Sequence, residues 1–203
     1  GAPAPLDPVA DLDQATVLDV RPAEAHAEGH VRGSINVPLD GSSFATRAGF
    51  VLDPDERIVL QASSHGEADR AARALRSVGF LDLAGYVTDV HEPERTEAVA
   101  VAELERLLAD KSITLLDVRE KDERDTGYIP GSLHMPYRLL RACGADCIDG
   151  DRPVVTICES GARAAIAASV LAASGIDARP VLGGGIPDWD GHTVEFRRCG
   201  SSG

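Results

Sequence analysis

The feature that most constrains this chain is that it repeats itself. Thr16-Val17-Leu18-Asp19-Val20-Arg21 recurs as Thr114-Leu115-Leu116-Asp117-Val118-Arg119, an offset of 98 from position 19 to position 117. Gly29, Gly33-Ser34 and Pro38 reappear at that offset as Gly127, Gly131-Ser132 and Pro136. Further on, the segment Arg57 to Ala62 answers to Pro153 to Cys158 at an offset of 96, so two residues are lost in an intervening loop. Leu75 and Gly79 then pair with Leu171 and Gly175. A repeat of this period means two copies of one folding unit. The 203 residues are enough for two small domains. The polar, acid-rich stretch from Thr88 to Thr96, which contains Pro93, divides them, giving expected domains at 1–92 and 97–203.

Each copy alternates strand and helix. Val17–Val20, Ile58–Leu60, Leu115–Val118 and Val154–Ile157 are short apolar runs rich in β-branched residues, the pattern of strands buried on both faces. Each second strand leads through a short Gly-containing turn into a helical pattern. In the second copy Ile166 and Val170 fall at i, i+4 beside Ala167 and Leu171, until Gly175 stops the helix. Val101, Leu104 and Leu108 line one face of a short helix ahead of the Leu115 strand. The expected class is therefore α/β: two domains, each a parallel sheet with helices on both faces.

Charge narrows the function. Twenty basic against 33 acidic side chains leave −13, which argues against a nucleic-acid backbone or an anionic membrane as partner. No stretch approaches the roughly 18 apolar residues of a membrane span, and no basic flank precedes an apolar core at the N-terminus. A soluble, cytoplasmic protein is expected. The four cysteines, 143, 147, 158 and 199, crowd into the second half, unlike a secreted disulfide scaffold, and point to a reducing compartment. Met135 is the sole methionine, so the chain is expected to be processed or cut from something longer.

The most informative segment is Cys158-Glu159-Ser160-Gly161-Ala162-Arg163, between a buried strand and a helix. Ligands of open α/β sheets bind beyond the carboxyl ends of the strands, where a helix N-terminus offers free N–H groups and partial positive charge. A cysteine there is expected to ionise readily, and the thiolate is the nucleophile. Gly161 lets the backbone curl so that successive N–H groups converge on the sulfur, and Arg163 adds a cation at the rim.

At these residues the chain resembles the rhodanese family of sulfurtransferases, in tandem. The second copy has the landmarks Leu116-Asp117-Val118-Arg119, Glu123, Gly127-Tyr128-Ile129-Pro130-Gly131-Ser132, the Cys158 loop, and the closing Gly184-Gly185 with Trp189. The resemblance implies that Cys158 takes a sulfane sulfur from a donor such as thiosulfate or a low-molecular-weight persulfide, and passes it to a thiol or cyanide. It implies that Glu159, Ser160, Gly161, Ala162 and Arg163 bind the substrate, with no cofactor and no metal. Glu159 stands where the family often has a neutral or basic residue, and it disfavours an anionic donor. Tandem rhodanese domains also resemble the C-terminal part of fusions with a metallo-β-lactamase-fold enzyme, so such a domain upstream is an expected partner.

The first copy matches less completely. Ala62 stands at the nucleophile's position, Glu67 at that of Arg163, and neither Ser63 nor Ser64 can form a persulfide. This copy is expected to be inactive and to pack against or cover its partner's site. Asp117 and Arg119 are expected to be structural, Arg119 pairing with Glu123 or bracing a loop, and Trp189 to be core. Cys143 and Cys147, four apart, make a weak signal for a metal or redox pair. Two alternatives stay open. One is a sulfur-carrier or interaction module. The other is a cysteine-dependent phosphatase, disfavoured because only four residues separate Cys158 from Arg163 where that chemistry has five.

Overall fold

A computed structural model describes residues 6–40, 43–143, 148 and 151–195. The repeat in the sequence becomes two four-stranded parallel sheets of the same topology. In the first, β1 (Thr16–Asp19), β2 (Ile35–Asn36), β3 (Ile58–Gln61) and β4 (Leu83–Val87) lie in the order β2-β1-β3-β4. In the second, β5 (Thr114–Asp117), β6 (Leu133–His134), β7 (Val154–Ile157) and β8 (Ala178–Pro180) lie in the order β6-β5-β7-β8. All pairings are parallel, with Leu18 opposite Leu60 and Leu116 opposite Thr156. The first and fifth strands begin one residue earlier than the apolar pattern implies and end at Asp19 and Asp117. Val20 and Val118 follow them, buried.

The helices are α1 (Ala23–Glu28), α2 (Phe44–Val51), α3 (His65–Ser77), α4 (Leu104–Ala109), α5 (Lys121–Asp125), α6 (Leu140–Cys143) and α7 (Ala162–Ala173). Short 3₁₀ turns at Val101–Glu103, Tyr137–Leu139 and Ile186–Asp188 precede α4, precede α6 and follow β8. Of the helix expected to carry Val101, Leu104 and Leu108, the first belongs to a 3₁₀ turn and the other two to α4.

The helix that follows Cys158 is apolar on every side, and the reason lies outside its own domain. Every residue from Ala164 to Leu171 is buried. One side of α7 packs on β7 and β8, and another covers β2 of the first sheet. Ser169 Oγ accepts a hydrogen bond from the Asn36 backbone N–H at 2.9 Å, satisfying a buried donor on the edge strand of that sheet. One apolar cluster thus runs from Leu18, Leu60 and Leu75 of the first domain to Leu116, Ile166 and Val170 of the second. A separate cluster, Leu104, Leu115, Val155, Ile157 and Val181, fills the opposite face of the second sheet, with Trp189 half-buried against it. Two further contacts tie α2 and its following loop to the second domain: Phe50 meets Tyr137 edge-on at 5.9 Å between ring centroids, and Arg141 pairs with Glu56.

Candidate active site

Cys158 follows β7 directly and is almost fully buried, at 1% exposure. Three features bend the chain from strand to helix around its sulfur. Gly161 sits at φ +91°, a left-handed conformation that costs a side-chain-bearing residue about 1–2 kcal/mol. Its N–H donates to Cys158 Sγ at 3.2 Å. From the other side the Gly184-Gly185 segment presses on the loop. A Cβ on Gly185 would strike the Glu159 and Cys158 backbone, and Ile186 N–H donates to the Cys158 carbonyl at 2.9 Å. Among the described residues Gly161 is the one backbone donor bonded to the sulfur, so the convergence of several N–H groups expected from the sequence is not met.

Arg163 is not a free cation at the rim. Its guanidinium grips Glu123 with two parallel bonds of 2.6 Å, the planar fork that suits a carboxylate. The Arg163 hydrogen bond holds the Glu123 carboxyl below its usual range, and that same bond raises the Arg163 guanidinium. Glu123 also accepts from the Glu120 N–H at 3.0 Å, which fixes the start of α5. Glu123 is thus not the partner of Arg119, a pairing that was one of the two roles expected for that arginine. Arg119 folds back on Asp117, with Nε at 3.0 Å and Nη2 at 2.8 Å, and braces the loop at the Gly127 carbonyl at 2.7 Å. Bracing was the second expectation for it, and that one stands. Asp117, wholly buried, also takes Arg124 Nη1 at 3.2 Å.

Glu159 is half-exposed, with Oε2 3.8 Å from Arg119 Nη1. Ser160 is exposed, while Ala162 opens α7. Tyr137, which carries no signal in the sequence, is buried in the turn before α6 that packs on α7. Its N–H donates to the Val118 carbonyl beyond β5 at 3.1 Å. Burial pushes its hydroxyl up, against the pull of Arg47 and Arg163. Trp189 donates from Nε1 to the His192 carbonyl at 3.3 Å.

The first domain carries the same turn without a thiol. Ala62 is buried where the sulfur sits in the second domain, and Glu67 turns its carboxylate back onto the Ser63 N–H at 2.5 Å. Ser64 is spent as a helix cap, its Oγ accepting from the Glu67 N–H. The support around the first strand's aspartate is also rewritten. Where Arg124 lies over the Tyr128 ring at 4.1 Å in the second domain, His26 and His30 stack at 3.8 Å in the first, and His26 Nδ1 donates to Asp19 at 3.0 Å.

Cys143 is disulfide-bonded. Cys147 and Cys199 lie outside the described residues. Among the described residues no group of three or more His, Cys, Asp or Glu side chains is placed to hold a metal, and no helix is long and apolar enough to cross a membrane.

This is an α/β protein with a buried thiol at a strand-to-helix turn, one backbone donor on its sulfur, and an arginine in the helix that follows locked to Glu123. The family is identifiable by comparison. Residues 6–92 and 100–192 each match the family described as "Rhodanese-like domain", and the chain belongs to it. The chain is similar to a protein of Allochromatium vinosum named "Sulfurtransferase", 35% identical over 88 residues, covering 43% of this chain and 81% of that one. It is also similar to the "Putative sulfur carrier protein YrkF" of Bacillus subtilis, 29% identical over 107 residues. That match covers 51% of this chain and only 57% of the relative. Among solved structures, a rhodanese-related protein from Thermoplasma volcanium is 31% identical with a TM-score of 0.44, covering 48% of this chain and 97% of that one.

Proposed function

We propose that the chain is a sulfurtransferase whose nucleophile is Cys158. The Cys158 thiolate attacks the outer sulfur of a donor, thiosulfate or a low-molecular-weight persulfide. The donor's S–S bond breaks, and sulfite or the parent thiolate leaves with the electron pair. The outer sulfur of the resulting persulfide is then taken by cyanide or a thiol, which returns Cys158 as thiolate, so the cycle consumes no net oxidant or reductant. The observation that carries this reading is the Gly161 N–H on Cys158 Sγ at 3.2 Å, a donor that stabilises charge on the sulfur before and after each transfer. Burial of the thiol also shields a persulfide from stray reaction. The first domain, with Ala62 and an inward-turned Glu67, is read as carrying no sulfur.

Turnover of thiosulfate and of glutathione persulfide with cyanide as acceptor tests the proposal in the full chain. Wild type is expected to turn over at least one donor and Cys158→Ser neither. Persulfide formation without turnover would favour a sulfur carrier, the role named for the Bacillus subtilis relative. Hydrolysis of an aryl phosphate in place of sulfur transfer would overturn the reading.

A further inference from the structure

Around the mouth of the Cys158 loop the cations are almost all matched. Arg163 is held by Glu123, and Arg119 and Arg124 by Asp117. Arg138 lies 3.0 Å from Glu120. A guanidinium locked to a carboxylate presents little more than a dipole, whose attraction for an approaching anion falls off faster than that of a lone charge. In a chain of net charge −13, such pairs alone leave the approach to the sulfur unfavourable for an anionic donor.

Arg47 is the exception, and it comes from the other domain. It lies on α2, half-buried, and no side-chain hydrogen bond or ion pair engages its guanidinium among the described residues. It precedes Phe50 by three positions, so the two share a helix face. The Phe50 ring rests on Tyr137, and α2 packs on the turn Tyr137–Leu139. That turn in turn packs on α7, whose second residue is Arg163. Arg47 and Arg163, on the two elements that pack on this turn, both pull the Tyr137 hydroxyl down against its burial.

We propose that Arg47 of the first domain is a specificity-determining residue of the Cys158 site, the unpaired cation that draws a small anionic donor to the sulfur. The donor class it fits is a thiosulfate-like anion or a carboxylate-bearing persulfide, which rests on the sulfur-transfer reading above. The charge role itself does not rest on it. The degenerate domain thus does more than cover α7: it completes the electrostatics of a site whose own arginines are consumed in holding the loop.

The test uses two probes of nearly equal size and different charge. Iodoacetate and iodoacetamide both alkylate a thiolate, the sulfur–carbon bond forming as iodide leaves with the electron pair. Their rates at Cys158 in the full chain are read by mass spectrometry of its peptide, which separates it from the other cysteines. Arg47→Gln is expected to lower the iodoacetate/iodoacetamide rate ratio by roughly three- to tenfold at low salt, the size expected of one partly screened unit charge. Arg47→Glu should lower it further and Arg47→Lys should keep it within about twofold of wild type. In parallel, Arg47→Gln should raise KM for thiosulfate by more than it lowers kcat. A ratio unchanged in Arg47→Gln and Arg47→Glu, or a wild-type Cys158 that reacts with neither reagent, overturns the proposal. Charge discrimination that persists while Cys158 accepts no sulfur would sink the functional reading and leave Arg47 in place. Sulfur transfer without discrimination would do the reverse.

Discussion

Two glycines with similar positive φ but different surroundings separate what the Cys158 loop needs from what any turn needs. Gly131 has φ +81° and nothing within 4 Å of where a Cβ would stand. Gly161 has φ +91°, and its Cβ would lie 3.2 Å from the Val181 carbonyl oxygen, in backbone that cannot swing aside as a long side chain could. Gly131→Ala should therefore cost only the left-handed backbone penalty, about 1–2 kcal/mol. At about 2–4 °C per kcal/mol for a chain of this size, that is a loss of roughly 2–8 °C in Tm. Gly161→Ala adds crowding against a fixed carbonyl, which brings its total to about 2–4 kcal/mol. The loop can relieve that contact only by moving residue 161 away from Val181, and its N–H then leaves the line to Cys158 Sγ. Loading of sulfur onto Cys158 should accordingly fall by about tenfold or more in Gly161→Ala, as for the loss of one aimed donor, and hold in Gly131→Ala. Thermal unfolding and the rate of Cys158 persulfidation, measured on both variants, check the two halves. Equal Tm losses together with wild-type loading by Gly161→Ala would refute the reasoning.

Other perturbations follow from the same contacts. Asp117→Asn takes the charge from a wholly buried carboxylate that serves Arg119 and Arg124, and should cost about 3–5 kcal/mol by denaturant titration; a loss under 1 kcal/mol would mean the arginines find other partners. Acid should unfold the chain in two stages. Burial, reinforced by the neighbouring His26, pushes His30 below its ordinary 6.5, so its stabilising contribution is full above that value and is lost as pH falls below it. Burial alone would push Asp19 up, but hydrogen bonds from His26 and Arg21 outweigh it, and Arg163 lowers Glu123. Both contributions are therefore lost only on further acidification below the ordinary 3.8 and 4.5. His30→Gln should abolish the first decline in a plot of Tm against pH, and its persistence would assign that decline elsewhere. In the first domain Ala62→Cys alone should load no sulfur, because Glu67 still turns its carboxylate onto the Ser63 N–H; adding Glu67→Arg should be required, and loading by the single variant would show that the inward carboxylate is no obstacle.

The architecture was legible because a parallel sheet leaves a strong trace. Strands buried on both faces read as continuous apolar runs, and their recurrence at matched spacing shows two copies at once. The Cys158 turn was legible for a related reason, since a strand, a glycine and a helix in close succession leave few geometries. What the sequence does not carry is which charges meet across space. Glu123 and Arg119 lie four apart and invite a helical pairing, but Arg119, two residues beyond the end of β5, turns back to Asp117, leaving Glu123 for Arg163 forty positions away. Arg47 gives no local signal, because its place depends on how α2 meets the turn at Tyr137. Alanine-rich α7 is intelligible only with both sheets present, since an amphipathic pattern marks a helix with one buried side and this helix has two.

Sulfur transfer as proposed requires Cys158 to be the residue that bears the sulfur. Mass spectrometry of the intact protein and its cysteine peptides after parallel exposure to thiosulfate, glutathione persulfide and cysteine persulfide tests it most directly. A gain of one sulfur atom on the Cys158 peptide is expected with at least one donor, and its loss when cyanide is added. Sulfur found on another cysteine, or on none, would contradict it.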